Sequence, residues 1–241
     1  MRGIILSGGS GTRLRPLTKI TSKQLLPIYH RPMIYYPLNT LIKAGIKEIL
    51  IIVAPERAGD YLNLLGSGKE FGVKFTYEIQ DHPEGIAQAF LIGENFIDNE
   101  DVALILGDNI FEDDFAEDIK NFKSGAKIFA KKVPDPERFG VVKFNEQMKA
   151  ERIVEKPQEY LSNYAVTGLY VYDRRVIEAT RSLRPSGRGE LEITDVNNWY
   201  LAQGELEVAL VKGEWLDAGT FESLLRAQNF AKDKLAGKMA I

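Results

Sequence analysis

The chain contains no cysteine. Disulfides, thiolate nucleophiles, iron–sulfur clusters and cysteine zinc sites are therefore excluded together. Histidine is nearly as scarce: His30 and His82 are the only two. A three-histidine metal centre is impossible, and both imidazoles lie in polar loops that require no role of them. Apolar runs such as Ile49–Ala54 fall far short of the ~20 residues that span a bilayer, so no membrane partner is expected. The N-terminus, Met-Arg-Gly-Ile-Ile-Leu-Ser-Gly-Gly, lacks the long apolar core of a secretory leader, and a cytoplasmic protein is expected. Acids are missing from one stretch. Residues 1–47 hold eight Lys or Arg and no Asp or Glu, which leaves −11 for the rest of a chain whose net charge is −3. Such a block is either a solvated basic face or a local anion site. A pI near 5.6 speaks against a nucleic-acid partner, because nucleic-acid binding usually makes a whole domain basic.

What is present is an ordinary globular composition over 241 residues, 44% hydrophobic and 27% charged. Short runs dense in Ile, Val and Leu without polar alternation read as strands covered on both faces: Gly3–Leu6, Ile49–Val53, Val102–Leu106 and Val208–Val211. Helical periodicity separates them. Residues 32–44 place Ile34, Leu38, Leu41 and Ile42 on one face, with Pro32 in the first turn, Pro37 predicting a kink or a loose first turn, and Gly45 as a stop. Residues 85–96 read as a second helix facing the sheet through Ile86, Ala89, Phe90 and Gly93. Thr220 can cap a last helix through Phe221, Leu224, Leu225 and Gln228, ending near residue 237. The middle holds strand-like runs with few helices, at 126–133, 140–144, 152–155 and 164–172, read as antiparallel additions. The expected fold is α/β, a Rossmann-like layered sandwich with a mostly parallel mixed central sheet. No linker or repeat divides residues 1–241, so one domain is expected. Within it a first part would cover about residues 1–115 and a second about 116–220.

Four segments can carry chemistry. The first strand runs into Ser7-Gly8-Gly9-Ser10-Gly11-Thr12-Arg13, whose backbone could cradle phosphate or simply turn tightly. It is neither a Walker A loop, which needs Gly-Lys-Ser/Thr, nor a dinucleotide fingerprint, which needs a small residue where Leu14 stands. Arg13 and Lys23 supply cations beside it. Asp108 ends an apolar strand and is either a turn cap or a ligand for Mg²⁺ held between carboxylate and phosphate. Asp217 precedes a helix and is either a second such ligand or an acid favourably placed at a helix N-terminus. Glu155-Lys156 is either a surface ion pair or a binder of hydroxyls and phosphate.

Taken together, GGSGTRL at 8–14, SKQLLPI at 22–28, EGIAQAF at 84–90, LGDNIF at 106–111, PERFGVV at 136–142, EKP at 155–157, NYAVTGLYVYD at 163–173, RGELEITDVN at 188–197 and WLDAGT at 215–220 resemble the sugar-phosphate nucleotidylyltransferases. The motifs run in order over nearly the whole chain and are nearest to members that join dTTP to glucose 1-phosphate. The resemblance implies dTDP-glucose and pyrophosphate as products, Mg²⁺ as cofactor, and a homo-oligomer, dimer or tetramer. It assigns Gly8, Gly9, Gly11, Thr12, Gln24, Gln80 and Gly85 to the nucleotide, and Arg13 and Lys23 to the triphosphate and departing pyrophosphate. Asn109, Gly140, Glu155 and Val166 fall to the sugar phosphate, Lys156 to its phosphate, and Asp108 and Asp217 to the metal.

Three departures stand out. The base segment reads Gln80-Asp81-His82-Pro83-Glu84-Gly85, where the resembled pattern has small or Pro-containing residues and an Asp before the Gly. The last motif has Ala218 where Thr is usual. The chain stops at Ile241, as in short-form members, which leaves open whether it has the second nucleotide site of long members. The remaining alternatives are a uridylyltransferase or an enzyme for another sugar phosphate, and a non-catalytic sensor. The sensor conflicts with the presence of Arg13, Lys23, Asp108, Lys156 and Asp217. An NAD-binding oxidoreductase is set aside, since residues 1–47 hold no acid for a ribose.

Overall fold

The computed structural model describes residues 1–241 apart from Ser10, Ala236, Lys238, Ala240 and Ile241. Ser10 of the glycine loop and Ala236 of the helix expected to end near residue 237 thus lie outside the described residues. In chain order the elements of the first half are β1 (Arg2–Ser7), β2 (Pro27–Ile28), β3 (Arg31–Pro32), α1 (Tyr35–Lys43), β4 (Glu48–Val53), α2 (Ala58–Leu65), β5 (Lys74–Ile79), α3 (Gln88–Ile92), α4 (Glu94–Ile97), β6 (Val102–Leu106), β7 (Asn109–Phe111) and α5 (Ala116–Lys120). The second half adds β8 (Ala126–Lys132), β9 (Gly140–Phe144), β10 (Ala150–Glu155), β11 (Tyr164–Tyr172), α6 (Val176–Arg181), α7 (Ile193–Ala202), β12 (Leu206–Leu210), β13 (Trp215–Asp217) and α8 (Phe221–Phe230).

One nine-stranded sheet runs through both halves. β5, β4, β1 and β6 lie side by side and parallel, then β11 joins β6 antiparallel. Beyond it β8 pairs antiparallel with β11, and β12 parallel with β8. β9 also meets β11 and carries β10 outward. Alternation along each strand feeds two apolar layers. On β4, Ile49, Ile51 and Val53 face the layer with Leu38 and Leu41 of α1, while Leu50 and Ile52 face the layer with Phe90 and Val196. Both faces are covered by helices, which is why these strands read as unbroken apolar runs.

Several expectations shift. α1 starts at Tyr35, not at Pro32. Pro32 instead pairs with Pro27 in the β2–β3 ribbon, and Pro37 takes a first-turn position whose N–H would have no helical partner anyway. The helix expected over 85–96 is two pieces, α3 and α4, divided at Gly93. A Cβ there would stand 2.9 Å from Leu50 Cδ2, so the glycine lets this segment press onto the sheet. The run at 208–211 pairs as Leu206–Leu210. Thr220 does cap α8, in a reciprocal capping box with Ser223. The buried face of α8 is Ser223, Leu224 and Ala227 rather than the larger Phe221 and Leu225, which are 44% and 60% exposed.

Candidate active site

The parallel strands β1 and β6 end together, with Leu6 opposite Leu106. Ligands of open α/β sheets bind at this carboxyl edge. From β1 the chain enters the glycine loop. Gly8, Gly9 and Gly11 donate no backbone hydrogen bond among the described residues, so their N–H groups are available to an anion. Gly11 has φ +60° and accepts through its carbonyl from Thr18 Oγ1 at 2.8 Å, which pins the turn. Thr12–Leu14 form a single helical turn carrying Arg13, which has no ion pair among the described residues.

From β6 the chain delivers Asp108, 9% exposed. Lys23, on the turn Lys23–Leu25, donates to Asp108 Oδ2 in a short ion pair. Asn109 Nδ2 donates to Asp108 Oδ1 at 3.1 Å. Burial alone would raise the Asp108 carboxyl, but the Lys23 ammonium and these hydrogen bonds outweigh it and hold it below the usual carboxylate range. Asn109 is itself fixed: its Oδ1 accepts from Trp215 Nε1 at 2.6 Å and from the Gly168 N–H at 3.0 Å.

The ribbon β7–β13 brings in the second carboxylate. Asp217 pairs with Asn109, and the Ala218 N–H donates to the Asp108 carbonyl at 3.0 Å. Asp217 Oδ1 is buried without a hydrogen-bond partner. Burial, then the neighbouring Asp108 charge, push the Asp217 carboxyl up to about 6. Gly219 completes the corner, since a Cβ there would stand 2.8 Å from Arg13 Nη2 and 2.9 Å from Asp217 Oδ1.

A cavity of about 490 Å³ opens from this corner. Arg13, Asp108, Asn109 and Asp217 line it at one end, and Gly140, Glu155, Lys156 and Val166 also line it. β9 and β10 set Gly140 opposite Glu155. A Cβ on Gly140 would lie 3.3 Å from Glu155 Oε2, so the glycine makes room for that carboxylate. Thr194 Oγ1 donates to the same oxygen at 2.6 Å, and Arg188 reaches Glu155 Oε1 at 3.4 Å. Lys156 sits at φ +42°, in the left-handed region. Strain of that kind collects at functional sites. Its N–H donates to the Phe139 carbonyl at 2.9 Å and its ammonium lies 3.7 Å from Glu155.

Gly9 and Lys23 line a second depression, with Arg15, Lys19 and Arg57. Lys23, which lines this depression, is joined to Asp108, which lines the main cavity. Gln24 is 3% exposed and its Oε1 accepts from Ser22 Oγ at 2.9 Å and Tyr61 Oη at 3.1 Å. Burial pushes that tyrosine up to about 12. Gln80, also 3% exposed, stands against Gly8, and Gly85, with φ +106°, backs onto Leu191, whose carbonyl a Cβ would approach to 2.3 Å. Sequence reasoning missed Arg138, Thr194 and Trp215, which also line the main cavity. They sit inside quoted motifs, but nothing in their spacing set them apart.

A nucleotidyl transferase model matches residues 2–234. The chain belongs to the nucleotidyl transferase family. A glucose-1-phosphate thymidylyltransferase of Neisseria meningitidis is 53% identical over 96% of this chain and 83% of its own length. One of Mycobacterium tuberculosis is 53% identical over 96% and 82%. A Bacillus anthracis crystal structure described as a glucose-1-phosphate thymidylyltransferase, in complex with a sucrose, superposes with a TM-score of 0.91 at 51% identity, covering 97% of this chain and 96% of that one. A UDP-glucose pyrophosphorylase complexed with UDP-glucose gives 0.84 at 26% identity, covering 97% and 98%. The α/β sandwich with a mostly parallel mixed sheet expected from the strand pattern, and the nucleotidyl transferase fold implied by the resemblance, are therefore the fold found. No helix among the described residues is long and apolar enough to cross a membrane.

Among the described residues no group of three or more His, Asp or Glu could cage a metal. What this nucleotidyl transferase offers is two neighbouring carboxylates, one with an unpartnered buried oxygen. That donor set fits a small hard cation completed by substrate phosphates and water.

Proposed function

We propose that this nucleotidyl transferase moves the deoxythymidylyl group of dTTP onto glucose 1-phosphate, giving dTDP-glucose and pyrophosphate with Mg²⁺. The observation that carries the reading is one cavity with Arg13, Asp108 and Asp217 lining one end and Glu155 and Lys156 also in its wall. The attacking sugar-phosphate oxygen is already anionic, so a site with no cysteine and no histidine in its lining lacks nothing. The demands are in-line placement and neutralisation of charge.

Free N–H groups of Gly8, Gly9 and Gly11 and the turn at Thr12 hold the triphosphate, with Gln24, Gln80 and Gly85 beside the nucleoside. Arg13 and Lys23 offset charge on the reacting and leaving phosphates. Gly140, Glu155 and Val166 receive the sugar, Asn109 steadies Asp108 beneath the sugar phosphate, and Lys156 holds that phosphate in line. Asp108 and Asp217 would hold Mg²⁺, which when bound polarises phosphoryl oxygens and orients them.

The test is pyrophosphate release by purified protein with Mg²⁺ and glucose 1-phosphate, comparing dTTP, UTP, dCTP and ATP. Release with dTTP well above the rest is expected. Preference for UTP would move the chain to uridylyl transfer by the same residues, and silence with every nucleotide and sugar phosphate in a folded sample would reject the proposal.

A further inference from the structure

A short relay holds the Gln80 amide in one orientation. Gln80 follows β5, and its backbone N–H donates to the Val53 carbonyl at 2.9 Å. Gln88, the first residue of α3, accepts through Oε1 from the backbone N–H of Glu84 at 3.1 Å and donates through Nε2 to Glu84 Oε2 at 2.9 Å. A backbone N–H can only donate, and an ionised carboxylate can only accept. Both ends of the Gln88 amide are thus assigned by their partners, and its carbonyl faces Gln80. Gln80 must meet that carbonyl with its NH₂, and does so at 2.6 Å. Its own carbonyl oxygen is turned over Gly8, where a Cβ would stand only 2.0 Å from it. A hydrogen-bond acceptor is therefore fixed beside the glycine loop.

Pyrimidine bases divide on this point. Thymine and uracil carry an N3–H donor, whereas cytosine has a lone pair at N3. A fixed acceptor pairs with the first kind and opposes the second. An unrestrained glutamine amide could serve either by rotating. We infer that Glu84 and Gln88 are positioning residues that lock Gln80 with its carbonyl toward the nucleotide and so exclude cytosine. The inference rests on the dTTP reading above. Glu84 stands where the resembled pattern has Asp, so in this chain the longer carboxylate closes the relay.

The test measures equilibrium binding of dTTP and dCTP, then turnover with each, for wild type and three variants. Wild type favours dTTP. Gln88→Leu frees the amide, and the dTTP to dCTP ratio of kcat/KM falls about 10- to 100-fold. The loss appears in KM for dTTP with kcat little changed, as for a contact made equally before and during reaction. Glu84→Gln keeps an acceptor for Gln88 Nε2, leaves the Gln88 carbonyl facing the Gln80 NH₂, and preserves the ratio. Gln88→Lys offers only donors, pairs with Glu84, draws the Gln80 carbonyl away from the loop and moves discrimination toward dCTP. A purely structural Gln88 would weaken both nucleotides alike and lower the melting temperature, with the ratio unchanged. That result overturns the inference, as does a wild type that binds both nucleotides equally. A wild type that binds dTTP selectively yet releases no pyrophosphate would reject the proposed activity, and the variants' binding ratios would then decide for or against the relay.

Discussion

The two lysine–carboxylate pairs at the cavity use the same chemical groups to opposite ends. Lys23 and Asp108 are 11% and 12% exposed at the side chain and already joined. Lys156 and Glu155 are 46% and 23% exposed, with 3.7 Å between the charges. Glu155 is also held by Thr194 and Arg188, so Lys156 is one of several partners and its ammonium stays half exposed. A buried pair is costly to break on one side, while an exposed pair contributes little to folding. The phosphate-loop end therefore stores its charges as a neutral unit that a ligand must reopen. The far end holds them in a looser, more exposed cluster.

Breaking the buried pair has the largest effect. Asp108→Asn should lower kcat/KM by about 10³-fold or more, in line with loss of a central charge-stabilising group. The melting temperature should fall as well, because the amide leaves the buried Lys23 ammonium without a charge partner, so turnover is compared at a temperature where both proteins are folded. Near-normal turnover would remove Asp108 from the proposed machinery. Asp217→Asn should cost about 10²-fold in kcat, again as a lost electrostatic partner, yet raise the melting temperature in chelator at pH 7, because it removes a buried charge beside Asp108. A variant less stable than wild type would show that Asp217 has a partner in the metal-free protein.

At the exposed pair, Lys156→Met should raise KM for glucose 1-phosphate about tenfold, the scale of one charge-assisted hydrogen bond. KM for dTTP and the melting temperature should hardly move, and a selective rise in KM for dTTP would place Lys156 at the wrong substrate.

The smallest effect sharpens the contrast through pH. The folded Asp217 carboxyl titrates at about 6 against 3.8 for its ordinary value. The native state thus binds the extra proton between those values, and stability falls as pH rises through that window. The stability gap between Asp217→Asn and metal-free wild type should widen from pH 4 to pH 7 by on the order of 1–3 kcal/mol. A constant gap in calorimetry would contradict the shift.

Much of this site was legible because its parts are local. The glycine loop, Asp108 at the end of an apolar run and Asp217 before a capped helix each announce themselves within a few residues. Spacing could not reveal that Trp215 braces Asn109 from a distant strand, or that Gln88 reaches Gln80. The first contact joins residues 106 positions apart and the second closes a loop of eight, and only the path of the chain creates either. The fold misreadings have a similar source. Periodicity favoured the large Leu225 on α8, whereas close packing selected Ala227 and Ser223. Gly93 looked like one more helical residue until its nearness to Leu50 showed why the helix divides there.

The ribbon of β7 and β13 has a consequence for the order in which the molecule is made. Asp108 leaves the ribosome with the first half of the chain, but its companion arrives only with Trp215–Asp217 and is seated by pairing back onto Asn109–Phe111. A nascent or clipped chain ending before Trp215 would carry the glycine loop, Lys23 and Asp108. It would still lack the second carboxylate and the brace on Asn109. On the proposed reading, the second metal-holding carboxylate is the last part of the site to be made.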